Sequence, residues 1–367
     1  YYNPHKNMFS IIRHSPQVKN SLLTNNVNTV SEDNTGKLWF GTNEGISILN
    51  PVIDGWHHIT SAGLPEKLHA MSIMLSRDNQ MWAATYGSGL LKINPQTYEI
   101  SAYTKESQDN RKTGTNNLYN LIEDSSGRIW TGGIWGSTSV IDPVNNTISY
   151  VNVTSVRSFI EHNNDMLIGS IDGIFIVDKN TQEVSRPQSE KLINNRFICL
   201  EKGPADNLLY LGTDSRGFLI WDIETDSIQQ FTINEGLVSN FIRGLKLDDN
   251  GTLWISSNRG MSKFDPETGD IVNFNLSDGL ANSEFAENAI FMASSNYIFA
   301  GGTNGVTYFN PSSIKINNLA SIPFLRSISL FGKALSISDD SPLNQNINLQ
   351  EVMEFRHNQN TISISFS

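Results

Sequence analysis

The sequence predicts an all-β chain: a seven-bladed β-propeller followed by the first strands of an Ig-like β-sandwich. Three observations predict it. A tile with a large apolar anchor, a Gly-Thr or related pair, a turn glycine and a short apolar run recurs seven times. The spacing of the tiles is that of a propeller blade built from four short strands. No window of helical length carries a convincing amphipathic helical period.

The tiles read "GKLWFGTNEGISILNP" (36–51), "QMWAATYGSGLLKINP" (80–95), "RIWTGGIWGSTSVIDP" (128–143), "DMLIGSIDGIFIVDK" (165–179), "LLYLGTDSRGFLIWD" (208–222), "TLWISSNRGMSKFDP" (252–266) and "YIFAGGTNGVTYFNP" (297–311). Their anchors are Trp39, Trp82, Trp130, Leu167, Tyr210, Trp254 and Phe299, at intervals of 43, 48, 37, 43, 44 and 45 residues. In the first tile "VNTVSED" is a strand and "NTG" a turn in which glycine supplies the positive φ. "KLWFGT" and "ISILN" are the next two strands, separated by the turn "NEG". Pro51 cannot donate to a ladder and ends the third strand, and "GWHHIT" is the outer fourth. The anchors lie on a central strand with blades on both sides, so they are inter-blade core. A phosphate-loop reading of the glycines fails, because no helix follows on which a phosphate could sit.

A ring must close. The seventh tile supplies its inner strands near 288–309, and "NMFSIIRH" (7–14) reads as an unpaired outer strand expected to pair with that last blade. This would cover an edge that an open array leaves exposed. "SSIKI" (312–316) competes for the same edge. The expected domains are a propeller over 1–318 and an incomplete sandwich over 319–367.

Composition narrows the function. The 367 residues are 38% apolar and carry a net charge of -11, with a pI near 5.1. The acidity argues against a general nucleic-acid binder. The single cysteine, Cys199, excludes an internal disulfide and a multi-cysteine metal site. Its run "RFICLE" makes it a buried, inert thiol. No metal and no cofactor is expected. No apolar run is long enough for a transmembrane helix, and "YYNPHKNMFS" has no signal-peptide core. Its abrupt start suggests a piece of a longer protein.

The phrase "VSEDNTGKLWFGTNEGISILNP" resembles the two-component-regulator propeller repeat, whose pattern runs roughly V-x-x-I-x-x-D-x-x-G-x-L-W-x-G-T-x-x-G. "GLANSEFAENAIFMASSNYIFAGGTNGVTYFNP" is similar to the terminal blade of that family. "IPFLRSISLFGKALSI" and "MEFRHNQNTISISFS" resemble the opening of the Ig-like "Y_Y_Y" domain that follows such propellers. Leu167, Phe299 and Ser256-Ser257 depart from the pattern while keeping its packing role. The tail offers three or four strands, too few for a closed sandwich.

The resemblance implies the extracytoplasmic sensing region of a hybrid two-component histidine kinase, on the periplasmic side of the inner membrane. The parent protein would span the membrane. The ligand would be a glycan-derived oligosaccharide, and the full-length sensor would act as a homodimer through its sandwich. The kinase is not part of this chain, which is therefore not expected to be an enzyme.

Each innermost strand opens with an apolar residue: Val27, Leu68, Leu118, Val156, Phe197, Ile242 or Phe285. The residues that follow do not repeat: Asn28, His69, Tyr119, Arg157, Ile198, Arg243 and Ala286. These positions surround the channel mouth, where the repeat constraint is relaxed. The turns between second and third strands reach the same face and add Glu44, Tyr86, Trp135, Asp172, Arg216 and Arg259. Rings in turns suit stacking on the apolar face of a sugar. Arginines there suit carboxylate or sulfate groups. The candidate ligand-binding residues are thus Asn28, His69, Tyr119, Arg157, Arg243, Tyr86, Trp135, Arg216 and Arg259, with a lean toward a partly anionic ligand. An inter-domain edge is the alternative place for it.

Two other function classes compete. A propeller enzyme acting on polysaccharide as a lyase would use a base beside a charge stabiliser, for which His69, Tyr119 and Arg243 are available. A glycoside hydrolase needs two carboxylates at a defined separation, and Glu44 and Asp172 have no special context for that. A non-catalytic protein-interaction propeller is the third class.

Overall fold

The computed structural model describes residues 8–18, 20–60, 68–314, 324–338 and 341–366. The chain divides into two compact units, Tyr1–Ile314 and Lys315–Ser367. The described residues of the first unit form seven four-stranded antiparallel sheets. The first runs from inner to outer strand through Val27–Glu32, Leu38–Thr42, Gly45–Asn50 and Gly55–Ile59. The inner strands of the next five are Ala70–Leu75, Leu118–Glu123, Val156–His162, Phe197–Lys202 and Ile242–Leu247. The seventh has Phe285–Met292, Ile298–Gly302 and Gly305–Phe309, with Ser10–Ile12 as its outer strand. Each inner strand lies against the inner strand of the next sheet, and Phe285–Met292 lies against Val27–Glu32, which closes the cycle.

The closure uses the chain's beginning. Ser10, Ile11 and Ile12 pair with Tyr308, Thr307 and Val306. The competing stretch turns away as a short 3-10 helix, Pro311–Ser313, and residues 315–316 lie outside the described residues. One α-helix occurs among the described residues, the four-residue Glu190–Ile193, after an outer strand cut to Val184–Ser185.

The tile letters are explained by what they touch. All seven anchors are buried between sheets. Three of the tryptophans also donate Nε1 to an aspartate six residues earlier: Trp39 to Asp33 at 3.0 Å, Trp130 to Asp124 at 2.8 Å and Trp254 to Asp248 at 2.8 Å. The other carboxylate oxygen of each aspartate accepts two backbone N–H groups of the intervening turn, as Asp33 does from Thr35 and Lys37. One side chain thereby satisfies a turn and an indole that burial would otherwise leave unpaired. The threonine after the glycine is equally specific. Thr42, Thr85 and Thr213 donate Oγ1 to the carbonyls of Gly45, Gly89 and Gly217 across the next turn, at 2.6–2.8 Å. Gly45 has φ +142°, and a Cβ there would lie 2.3 Å from the Ile59 carbonyl oxygen, so only glycine fits.

Neighbouring sheets are stapled by a glutamate near the end of the inner strand. Glu32 accepts from Ser294 N, Glu123 from Arg77 N, Glu161 from Ser125 N and Glu201 from Leu247 N. Cys199 is buried and free, and its burial pushes the thiol far up, which keeps it protonated and unreactive. The second unit contains one three-stranded sheet among its described residues, ordered Lys333–Ala334, Leu325–Leu330, Ile362–Phe366. A single sheet is one layer of a sandwich, not two.

Candidate functional site

The start of each inner strand pairs with the end of the second strand, as Val27 does with Thr42. Inner-strand starts and the following turns therefore share one edge, the mouth of the central channel. Every inner strand has a register shift here. In six sheets it is one residue wide and falls at Asn28, Met71, Tyr119, Arg157, Ile198 and Arg243. A bulge re-aims a side chain out of the alternation, which is why these positions escape the repeat.

The register corrects one assignment. Ala70, not Leu68, is the partner of Thr85 and the counterpart of Val27, so the bulge residue of the second sheet is Met71. His69 precedes that position. It still lies at the mouth, where its carbonyl accepts from Tyr86 N at 2.9 Å, and burial holds its imidazole below the ordinary histidine value. Asn28 has a structural partner: its side chain is buried and donates to the Ala70 carbonyl at 3.0 Å, which joins two sheets.

Four candidates form one aromatic band. The Tyr86 ring lies 6.0 Å from His69, 6.1 Å from Tyr119 and 6.4 Å from Trp135, centre to centre. Trp135 is 71% exposed. Its φ of +61° is a left-handed conformation that a bulky residue adopts only at a cost of about 1–3 kcal/mol. Neighbouring structure holds the turn in place: Ile134 N donates to the Asn117 carbonyl, and Gly136 packs on the Gly114 carbonyl where a Cβ would collide.

The band continues into a charged cluster. The Arg157 guanidinium sits over the Tyr119 ring at 4.0 Å. Glu287 lies between two arginines, 3.7 Å from Arg157 and 3.2 Å from Arg243. Arg243 also reaches Asp214 at 3.4 Å, and Asp214 reaches Arg196 at 3.4 Å. The two central arginines thus already have carboxylate partners within the chain. Arg216 and Arg259 stand apart, exposed in their turns, with no ion-pair partner among the described residues.

Glu287 comes from an insertion. In the seventh sheet Phe285 pairs with Gly302 and pairing resumes only at Ile290 opposite Ala300. The widened bulge carries Ala286, Glu287 and Asn288, the last with φ +56°. Asn288 Nδ2 donates to the carbonyls of Arg157 at 3.0 Å and Ile198 at 2.9 Å, on the fourth and fifth sheets. The seventh sheet therefore reaches across the channel mouth. Sequence reasoning missed Glu287, Asn288, Asp214 and Arg196. A signal for the first two existed: fourteen residues separate Phe285 from Phe299, against twelve from Val27 to Trp39.

A cleft of about 410 Å³ lies at the opposite edge, between turns of the second and third sheets, lined by Arg77, Asp78, Ser125, Ser126 and Val144 among others. Its aromatic residue, Trp82, is wholly buried. The mouth instead brings together one exposed ring, Trp135, three half-buried rings and a half-buried charged cluster. Among the described residues no group of three or more His, Cys, Asp or Glu side chains is placed to hold a metal ion.

Residues 21–44 and 236–259 match the family described as two component regulator propeller. Over 291 residues the chain is 24% identical to histidine kinase P4 of Formosa agariphila, covering 79% of this chain and 19% of that protein. Its fold is similar to the extracellular domain of a putative hybrid two component system from B. thetaiotaomicron, with a TM-score of 0.75 and 21% identity over 98% of this chain and 48% of that one. It is also similar in fold to virginiamycin B lyase from Staphylococcus aureus, with a TM-score of 0.63 and 13% identity over 82% of this chain and 98% of the lyase. The chain spans about a fifth of the length of the curated relative and about half of the first of these structures.

Proposed function

We propose that this chain is the ligand-sensing propeller of the extracytoplasmic part of a hybrid two-component sensor, and that its channel mouth binds a glycan-derived oligosaccharide. The seven sheets are read as seven blades, and the three-stranded sheet as the opening of the sandwich that would carry the signal onward. The family match at two tiles, the likeness to a histidine kinase and the fold shared with a hybrid-system extracellular domain support the sensor reading.

The observation that carries the ligand reading is the band of Trp135, Tyr86, Tyr119 and His69. An exposed ring held in a strained turn has a poor structural justification and a good one as a sugar platform. Its flat face suits the C–H face of a pyranose, and its edge and neighbours leave polar atoms wet. In the parent protein the propeller would lie on the periplasmic side of the inner membrane, in a homodimer joined through its sandwich. Binding at the mouth would shift the population of two dimer arrangements by the difference in its affinity for them.

The lyase likeness is one of fold alone, and two of the three groups a lyase would draw on at the mouth, Tyr119 and Arg243, are engaged, while among the described residues the His69 side chain is not. Tyr119 is covered by Arg157, and Arg243 is held by Glu287 and Asp214. Titration calorimetry of this chain against a panel of neutral and acidic oligosaccharides tests the sensor reading. A hit whose affinity is lost in Trp135→Ala and Tyr86→Ala supports it. No binding across the panel, or new reducing or unsaturated ends after incubation with polymer, would count against it.

A further inference from the structure

The widened bulge of the seventh sheet places the Glu287 carboxylate between two arginines. Arg157 and Arg243 converge on one point from the fourth and sixth sheets, and Glu287 fills that point. The side chains of the two arginines are only 15% and 18% exposed, and that of Glu287 is 30% exposed. Glu287 is aimed there by its own backbone. Asn288, the next residue, is pinned to the carbonyls of Arg157 and Ile198, and Arg157 is itself held against Tyr119. The slot is not saturated. Arg157 Nε is buried with no hydrogen-bond partner among the described residues, and its Nη1 lies 3.7 Å from Glu287.

We propose that Glu287 is the specificity-determining residue of the channel mouth, an internal carboxylate that bars acidic groups from the Arg157–Arg243 slot and reserves the adjoining aromatic band for neutral sugar. The physics is a competition. A ligand carboxylate or sulfate would have to displace a tethered carboxylate that is present at high effective concentration. Displacement would also leave Glu287 beside the arriving negative charge, and a partly buried carboxylate without its partner is costly. The neutral face of a sugar on Trp135, Tyr86 and Tyr119 meets no such penalty. Any anionic contact is left to Arg216 and Arg259 on the rim, where solvent screens it.

This inference rests on the mouth being the ligand surface, and its test stands apart from the identity of the natural ligand. The probes are sulfate, trigalacturonate and a neutral trisaccharide, titrated into the full chain and into Glu287→Gln and Glu287→Ala. Glu287→Gln keeps the shape, and Glu287→Ala empties the slot. Thermal melts establish that each variant is folded. The expected result is that both variants bind trigalacturonate at least about tenfold more tightly than the parent chain, with a salt-sensitive affinity. Adding Arg243→Ala to Glu287→Gln should abolish the gain, and the neutral probe should bind all of the proteins alike. The proposal is overturned if the parent chain binds trigalacturonate as tightly as the variants, or if folded variants gain nothing for either anion. Failure of the sensor reading would appear separately, as absence of any glycan binding by the parent chain.

Discussion

Asn288 donates to the carbonyl of Arg157 at 3.0 Å, joining residues 131 apart in sequence across the channel mouth. A second hydrogen bond from the same nitrogen reaches Ile198. Both acceptors are the bulge residues of their inner strands. Asn288→Ala should therefore destabilise the chain by about 1–3 kcal/mol, read from urea unfolding. Asn288→Gly loses the same bonds but accepts the positive φ without strain, so it should lose about 1 kcal/mol less. Equal stability of all three proteins would mean that the asparagine does not fasten the mouth.

Asp248 accepts the Trp254 indole and two backbone N–H groups of its turn. Asp248→Ala should cost about 2–3 kcal/mol by orphaning those donors. The second tile has Ser76 in the corresponding place, and the Trp82 indole N–H is buried with no partner among the described residues. Ser76→Asp should supply the missing acceptor and raise stability by about 1 kcal/mol. A loss on Ser76→Asp would show that the nearby Asp78 carboxylate outweighs the new hydrogen bond.

Trp135 combines 71% exposure with φ +61°. Trp135→Gly should relieve the backbone and gain up to about 1 kcal/mol in stability. The same change should weaken oligosaccharide binding roughly tenfold by removing a stacking face. Opposite signs in the two measurements would mark the residue as kept for binding. A loss of stability with unchanged binding would mark it as a packing residue.

The parts of the fold visible in the sequence are those set by short-range rules that repeat. The Asp33–Trp39 bond spans six residues, and the Thr42–Gly45 turn spans three, so each leaves the same letters in tile after tile. The mouth was legible as a location for the same reason, since it is where those letters stop repeating. Its chemistry was not. The pairing of Glu287 with Arg157 and Arg243, and the cover of Arg157 on Tyr119, join different sheets, and no local spacing encodes them. His69 was misplaced because an apolar letter was used as the strand start, whereas the ladder pairs Ala70 with Thr85. Asn28 shows the complementary case: its position is variable across tiles, yet its amide nitrogen makes an inter-sheet bond to Ala70 that no local spacing encodes.

His58 makes stability depend on pH in a predictable direction. Burial, followed by the charges of His57 and His14, holds its imidazole below the ordinary histidine value. The ring lies 6.2 Å from Trp56, and its buried Nδ1 has no hydrogen-bond partner among the described residues, so a second proton on the ring has nothing to favour it. The unfolded chain would take up a proton near pH 6.5, at a pH where the folded chain still resists it. The unfolded state then binds more protons, so stability is fully present above about pH 6.5 and falls as the pH drops toward the folded value. His69, also held low by burial, adds a contribution of the same sign. Unfolding free energies measured at pH 7.5 and pH 5.5 should differ less in His58→Gln than in the parent chain, and less still in the double variant with His69→Gln. An unchanged difference in both would place the acid sensitivity in other groups.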